Sequence, residues 1–174
     1  MDIVVNDTNI FIDLYSIECL DAFFRLPICV HTIDFVMNEI TNAEQMKAIE
    51  KYVSSKQLTV GTFTTEELAE IYTLHATAKG NVSFTDCAVL HYAKSNDYVL
   101  LTGDRQLRDN ATEDCVTVRG ILYVFDLLMQ HHILPAEKIV AKLQELQETN
   151  QRLPQKLIQE RIDKWSRCKN LQRK

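Results

Sequence analysis

The stretch Val99-Leu100-Leu101-Thr102-Gly103-Asp104 decides how this chain folds. Val99 to Leu101, with Tyr98 before them, form a short apolar run rich in strand formers and without polar alternation. A strand that is apolar on both faces is covered on both faces, as in a parallel sheet packed between helices. Thr102-Gly103 then breaks the run and leaves Asp104 just beyond the strand's carboxyl end. In open parallel sheets, ligands bind at that edge.

The N-terminus repeats the arrangement. Asp2-Ile3-Val4-Val5-Asn6 reads as a short buried strand, and Asp7 follows it. Residues 8–14 and 17–25 read as helices, and Val30 lies in a short extended piece. His31-Thr32 leads into a helix whose stripe is Ile33, Val36, Met37 and Ile40, the i, i+3, i+4, i+7 spacing of an amphipathic helix. Residues 43–54 continue as helix, and Leu58-Thr59-Val60 is a strand. Thr64 with Glu67 makes a capping box for a helix with the stripe Leu68, Ile71, Tyr72 and His75, ended by Lys79-Gly80. Ser83 with Asp86 opens another, reaching about Ser95. A strand at 116–118 and a helix at 120–132 follow. Pro135 sits near the start of a helix with Ile139, Leu143 and Leu146 on one face, and Pro154 precedes a basic helix to about Lys169. Strands alternating with helices predict an α/β fold: a mostly parallel central sheet covered by helices, with extra C-terminal helices.

Composition bounds what such a fold can do. The 174 residues suffice for one well-filled core, and 4 Gly and 3 Pro leave little room for flexible linkers. The N-terminus lacks a basic region and does not read as a signal peptide. No apolar run approaches the roughly 18 residues of a membrane span. A cytoplasmic protein without a membrane partner is expected. The five cysteines, Cys19, Cys29, Cys87, Cys115 and Cys168, form no CxxC pair, which argues against a zinc knuckle or a disulfide framework. No Gly-rich phosphate loop is present. Charge is uneven: residues 1–150 carry 11 Lys/Arg and 22 Asp/Glu, a net of −11, whereas residues 151–174 carry 8 and 2, a net of +6.

Four acids stand out by placement. Asp7 and Asp104 follow strands, Asp86 sits in the first turn of a helix, and Glu39 lies late on a helix that otherwise presents an apolar stripe. Carboxylates brought into one crevice repel each other and resist ionisation unless a cation compensates them. Hard oxygen donors suit Mg²⁺ or Mn²⁺. Such an ion activates water, polarises a phosphoryl oxygen and stabilises a leaving oxygen.

The order of these residues resembles the PIN domain family. Val4-Val5-Asn6-Asp7-Thr8-Asn9-Ile10-Phe11-Ile12 is similar to its opening strand, acid and apolar helix. Glu39 in Phe35-Val36-Met37-Asn38-Glu39-Ile40 matches the second acid. Asp86 in Phe84-Thr85-Asp86-Cys87-Ala88-Val89 resembles the third, and Val99–Asp104 resembles the strand followed by Thr-x-Asp. The resemblance covers roughly residues 1–130. It implies a nuclease domain over residues 1–132, followed by a helical extension with a basic tail over 133–174. It also implies a metal-dependent endoribonuclease, with Asp7, Glu39, Asp86 and Asp104 as both the catalytic and the metal-binding acids. By the same resemblance Thr8 and Asn9 support Asp7, and Thr102 orients Asp104 through its hydroxyl. RNA is the implied substrate. An antitoxin protein is an implied partner, since many members are toxins of toxin–antitoxin pairs, and a homodimer is a further expectation.

Each residue also has a plain structural reading. Asp7, Asp86 and Asp104 suit helix caps or turns, and Glu39 suits a solvated helix face. Asp109 reads either as a fifth carboxylate or as a surface residue. His75 and His91 fall on or near apolar stripes and read as packed core histidines. Trp165 and Tyr98 read as packing residues. In the basic helix, Leu157, Ile158, Ile162 and Trp165 form an apolar face, while Lys156, Arg161, Lys164, Arg167 and Lys169 are either solvated charges or RNA-backbone contacts. Two other functions compete with the nuclease. One is a non-catalytic module of the same fold that binds RNA or protein. The other is a phosphotransfer or phosphatase domain. An aspartate-nucleophile phosphatase needs a second Asp two residues after its nucleophile, and Asn9 holds that position.

Overall fold

The computed structural model describes residues 2–168, so Lys169 lies outside the described residues. Five strands form one sheet: β1 (Ile3–Asn6), β2 (Cys29–Ile33), β3 (Leu58–Gly61), β4 (Val99–Leu101) and β5 (Val118–Arg119). Their order is β3-β2-β1-β4-β5, and every pair is parallel. Val4, Val5, Leu100 and Leu101 are fully buried, which is why both central strands read as unbroken apolar runs. The chain winds from β1 outward through β2 to β3, then crosses to β4 on the other side of β1. The crevice between the carboxyl ends of β1 and β4 is therefore the topological switch point of the sheet.

Ten helices lie among the described residues: α1 (Thr8–Ser16), α2 (Leu20–Phe23), α3 (Asp34–Glu39), α4 (Ala43–Ser54), α5 (Thr65–Thr77), α6 (Phe84–Ser95), α7 (Arg105–Glu113), α8 (Ile121–Gln130), α9 (Ala136–Thr149) and α10 (Gln155–Cys168). None is long and apolar enough to cross a membrane among the described residues. The chain divides into two compact units. One comprises the N-terminus through Ile12 together with Pro27–Gly120, and holds the whole sheet. The other comprises Asp13–Leu26 and the chain from Ile121 on.

Three local expectations are corrected. Ile33 ends β2 rather than opening α3, and Ile40 follows that helix in an extended conformation (φ −79°, ψ 91°). Three of the four stripe residues, Ile33, Val36 and Ile40, are buried and Met37 is half-buried, but only Val36 and Met37 lie within the six-residue helix. On α5 only Ile71 is fully buried; Tyr72 is 69% exposed and His75 is exposed, so His75 is no core histidine. Helix α5 packs against α6. Lastly, α7 forms where a break after Asp104 was the whole expectation. Its apolar content is thin, but Leu107 and Ala111, spaced i, i+4, are both fully buried.

In the second unit, Ile139, Leu143 and Leu146 of α9 are fully buried, as their spacing predicts. Helix α10 packs on α9 through Ile158, Ile162 and Trp165, all buried, while Leu157 is 44% exposed. Asn150 donates to both carboxylate oxygens of Asp13 at 3.1 Å, closing the unit around the residues that precede it by most of the chain.

Candidate functional site

Strand β1 delivers Asp7 to the switch point. Its backbone N–H donates to the carbonyl of Leu101 at 3.0 Å, so the ends of β1 and β4 are tied together there. The side chain is buried, with 3% of its surface exposed. Oδ1 accepts the N–H of Thr8 at 2.7 Å, and Oδ2 accepts Asn9 Nδ2 at 3.1 Å and Thr102 Oγ1 at 2.8 Å.

Thr102, also fully buried, links two acids. Its single hydroxyl proton goes to Asp7, and the same oxygen accepts the backbone N–H of Asp104 at 3.0 Å. The hydroxyl thus positions the Asp104 backbone, and the contact with a carboxylate is to Asp7. Asp104 caps α7, its Oδ1 accepting the N–H of Leu107 at 2.8 Å. Thr8 plays a comparable part on the other side: its N–H serves Asp7, and its hydroxyl donates to Glu39 Oε2 at 2.7 Å. One hydrogen-bonded chain therefore runs Glu39–Thr8–Asp7–Thr102–Asp104.

Asp86 stands on α6. Its Oδ2 accepts both the N–H and the hydroxyl of Ser83 at 2.8 Å, and its own N–H donates to Ser83 Oγ at 3.0 Å, completing a capping box. Cap and candidate ligand are compatible here, because the bonds from Ser83 fall on one carboxylate oxygen. The Ser-x-x-Asp spacing signalled the cap in the sequence; that Ser83 also fixes the acid's orientation is visible only in the folded chain.

The four acids feel one another. The Asp7 carboxyl is pushed up to about 6, mainly by burial, against the Thr102 and Thr8 hydrogen bonds and with added repulsion from Asp86 and Glu39. Burial also raises Asp86, against its bonds from Ser83 and with repulsion from Asp104 and Glu39. Burial is the main cause of both shifts, and like charge adds to it, while Arg108 donates to the Thr102 carbonyl at 3.0 Å beside the same acids. Among the described residues, no group of three or more His, Cys, Asp or Glu is placed so that it could hold a metal ion. Mg²⁺ keeps several waters and commonly takes one or two carboxylates plus a substrate phosphate.

The remaining candidates lie elsewhere. Asp109 has 67% of its side chain exposed and sits 3.9 Å from Arg105. His91 is half-buried and bonds Glu70 at 2.9 Å. Lys156, Lys164 and Arg167 are exposed on α10, in the second unit. Arg161 of the same helix forms a two-pronged ion pair with Asp126, at 2.9 and 2.6 Å. Asn6, next to Asp7, escaped notice in the sequence: it is fully buried, and neither atom of its side-chain amide has a protein partner.

A family model described as a PIN domain matches residues 3–167. Among solved structures, the chain is similar to a PilT N-terminus domain protein from the hyperthermophilic archaeon Sulfolobus solfataricus P2, at 13% identity over 70% of this chain and 89% of that one, with a TM-score of 0.42. It is also similar to VapBC2 from Rickettsia felis bound to a DNA fragment from their promoter, at 16% identity over 68% and 98%, with a TM-score of 0.44. A third is FitAcB from Neisseria gonorrhoeae, at 12% identity over 69% and 99%, with a TM-score of 0.42. No curated protein matches the chain in sequence.

Proposed function

The chain belongs to the PIN domain family, and on that premise we propose that it is a metal-dependent endoribonuclease working at the crevice between β1 and β4. The observation that carries the reading is the hydrogen-bonded chain Glu39–Thr8–Asp7–Thr102–Asp104 at the switch point of a parallel sheet, with Asp86 adding to the charge around Asp7. A buried carboxyl pushed up to about 6 is a standing cost to the fold at neutral pH. As a cation site, the same placement becomes useful.

In this reading Asp7, Glu39, Asp86 and Asp104 hold Mg²⁺ or Mn²⁺, which supplies charge neutralisation at the scissile phosphate and a more acidic water. The chain's own residues do the positioning. Thr8, Asn9 and Thr102 donate to Asp7 and favour its ionised form, offsetting part of the effect of burial. Thr8 holds Glu39, and Ser83 holds Asp86. The oxygens of Glu39, Asp86 and Asp104 opposite those bonded to Thr8, Ser83 and Leu107, together with the remaining lone pair of Asp7 Oδ1, are left to bind the ion and accept a proton from water. Residues 1–132 form the nuclease part of the proposal, with residues 133–174 as its helical extension. The basic residues of α10, Lys156, Lys164 and Arg167 above all, are proposed as RNA-backbone contacts. Cytoplasmic placement, an antitoxin partner and a homodimer complete the proposal. Light scattering of the purified chain tests the dimer. Growth arrest on expression, relieved by a neighbouring gene product, tests the antitoxin.

The deciding experiment is cleavage of a mixed RNA pool, with and without Mn²⁺, by the wild type and by the double variant Asp7→Asn/Asp104→Asn. Mn²⁺-dependent cutting by the wild type, lost in a folded double variant, is expected. Cutting that survives in the variant sinks the assignment. No cutting by either, together with no Mn²⁺ binding in calorimetry, favours the non-catalytic module instead.

A further inference from the structure

Thr102 is gripped on three sides. Its backbone N–H donates to the Arg119 carbonyl at 3.0 Å, where the pairing of β4 with β5 ends. Its hydroxyl donates to Asp7 Oδ2 at 2.8 Å and accepts the N–H of Asp104 at 3.0 Å. Its carbonyl is taken by a side chain: Arg108 Nη2 donates to it at 3.0 Å.

Arg108 also reaches the far side of Gly103. Its backbone N–H donates to the Asp104 carbonyl at 3.1 Å. One residue thus closes a ring over Gly103 with its side chain at Thr102 and its backbone at Asp104. Gly103 itself adds little rigidity, since glycine has the freest backbone and no side chain to pack. Room for the guanidinium comes from Gly120, where a Cβ would sit 3.0 Å from Arg108 Nη2.

The plain reading is that Arg108 satisfies one strand-end carbonyl. Two observations carry it further. A bond from a charged donor is about twice as strong as one between neutral groups, so this is a firm tie. The residue it ties is fully buried and bonds both Asp7 and Asp104. Groups that act together on one ligand tolerate only about 0.5 Å of misplacement. We propose that Arg108 is a positioning residue: by holding the Thr102 carbonyl, it fixes the hydroxyl that sets Asp7 against Asp104. Its bearing on a cation rests on the function proposed above; its bearing on the geometry of the two acids does not.

The test is amide hydrogen exchange by NMR on the whole chain without added metal, followed by calorimetric titration with Mn²⁺. The variants are Arg108→Met, which keeps the stem and removes the donor, and Arg108→Lys, which keeps a charged donor. Gly120→Ala leaves Arg108 in the chain and crowds its guanidinium. The Leu100 N–H, bonded to the Thr117 carbonyl at 2.9 Å, is the internal reference. In Arg108→Met the Asp104 N–H is expected to exchange about tenfold faster, with Leu100 unchanged and Mn²⁺ bound about tenfold more weakly. Arg108→Lys should fall between Arg108→Met and the wild type. Gly120→Ala should shift the same amide in the same direction by less, and it carries the test if Arg108→Met does not fold. Unchanged exchange at Asp104, equal acceleration at Leu100, or faster exchange with undiminished Mn²⁺ affinity overturns the assignment. Faster exchange at Asp104 with no Mn²⁺ binding by the wild type keeps the positioning role and removes the cation. Unchanged exchange with Mn²⁺-dependent cleavage intact does the reverse.

Discussion

Asp7 is held in a contradiction that the proposed cation would resolve. Its carboxyl titrates near 6 because burial and two neighbouring acids oppose ionisation more strongly than three donors favour it. A carboxyl whose pKa is higher in the folded than in the unfolded chain stabilises the fold at low pH. For Asp7 that contribution is complete below about pH 4 and lost as pH rises through about 6. The shift is worth about 3 kcal/mol at neutral pH. In the absence of metal, Asp7→Asn is therefore expected to raise stability at pH 7 by about 1–2 kcal/mol, after allowing for roughly 1 kcal/mol of weakened hydrogen bonding to Asn9 and Thr102. Urea unfolding from pH 4 to 7 checks this: the wild type should lose stability across that window, and the variant should show a flatter profile. A variant as pH-sensitive as the wild type would place the titration elsewhere.

Helix α7 separates the two roles of one acid. Asp104 caps it through the Leu107 N–H, and the same carboxylate is a candidate ligand. Asn caps as well as Asp, whereas Ala does not. Asp104→Asn should therefore stay within about 0.5 kcal/mol of the wild type in stability and still lose Mn²⁺-dependent cleavage, while Asp104→Ala should lose cleavage and about 1 kcal/mol besides. Thermal melts alongside the RNA assay read both effects. Full cleavage by Asp104→Asn would leave this residue as a cap only. Much of this element's surroundings was legible beforehand: the strand, the Thr-Gly break and the acid were all read at their places. The helix itself was not. Only Leu107 and Ala111 mark its buried face, and the sequence does not say that β5 will sit beside β4 and give that face something to cover.

For the whole molecule, Mn²⁺ held by the four acids as proposed would couple binding to folding, because the acids come together only in the native chain. A ligand that binds the native state alone raises the melting temperature, by an amount set by RT ln(1 + [L]/Kd). At a hundredfold excess over Kd, that is about 2.7 kcal/mol. Differential scanning calorimetry with Mn²⁺ should show the rise in the wild type and a much smaller one in Asp7→Asn. Equal rises would put the ion outside the crevice. The basic helix behaves differently at this scale: it docks on α9 through Ile158, Ile162 and Trp165 and commits Arg161 to Asp126, so only part of its charge is free to meet RNA.

The sequence by itself determined the alternation of strand and helix, the parallel sheet, the caps at Thr64 and Ser83, and the positions of Asp7, Glu39, Asp86 and Asp104. Periodicity, capping chemistry and the order of motifs are local, and local patterns survive in a linear string. Only the tertiary structure decided that Thr102 gives its proton to Asp7 and receives the N–H of Asp104, that Thr8 reaches Glu39 thirty-one residues away, and that Phe35 packs on Phe63 and Phe84. A hydroxyl's partner and a ring's neighbour depend on strand order. Strand order is fixed by which apolar faces can be buried together, so these contacts exist only once the sheet has been wound.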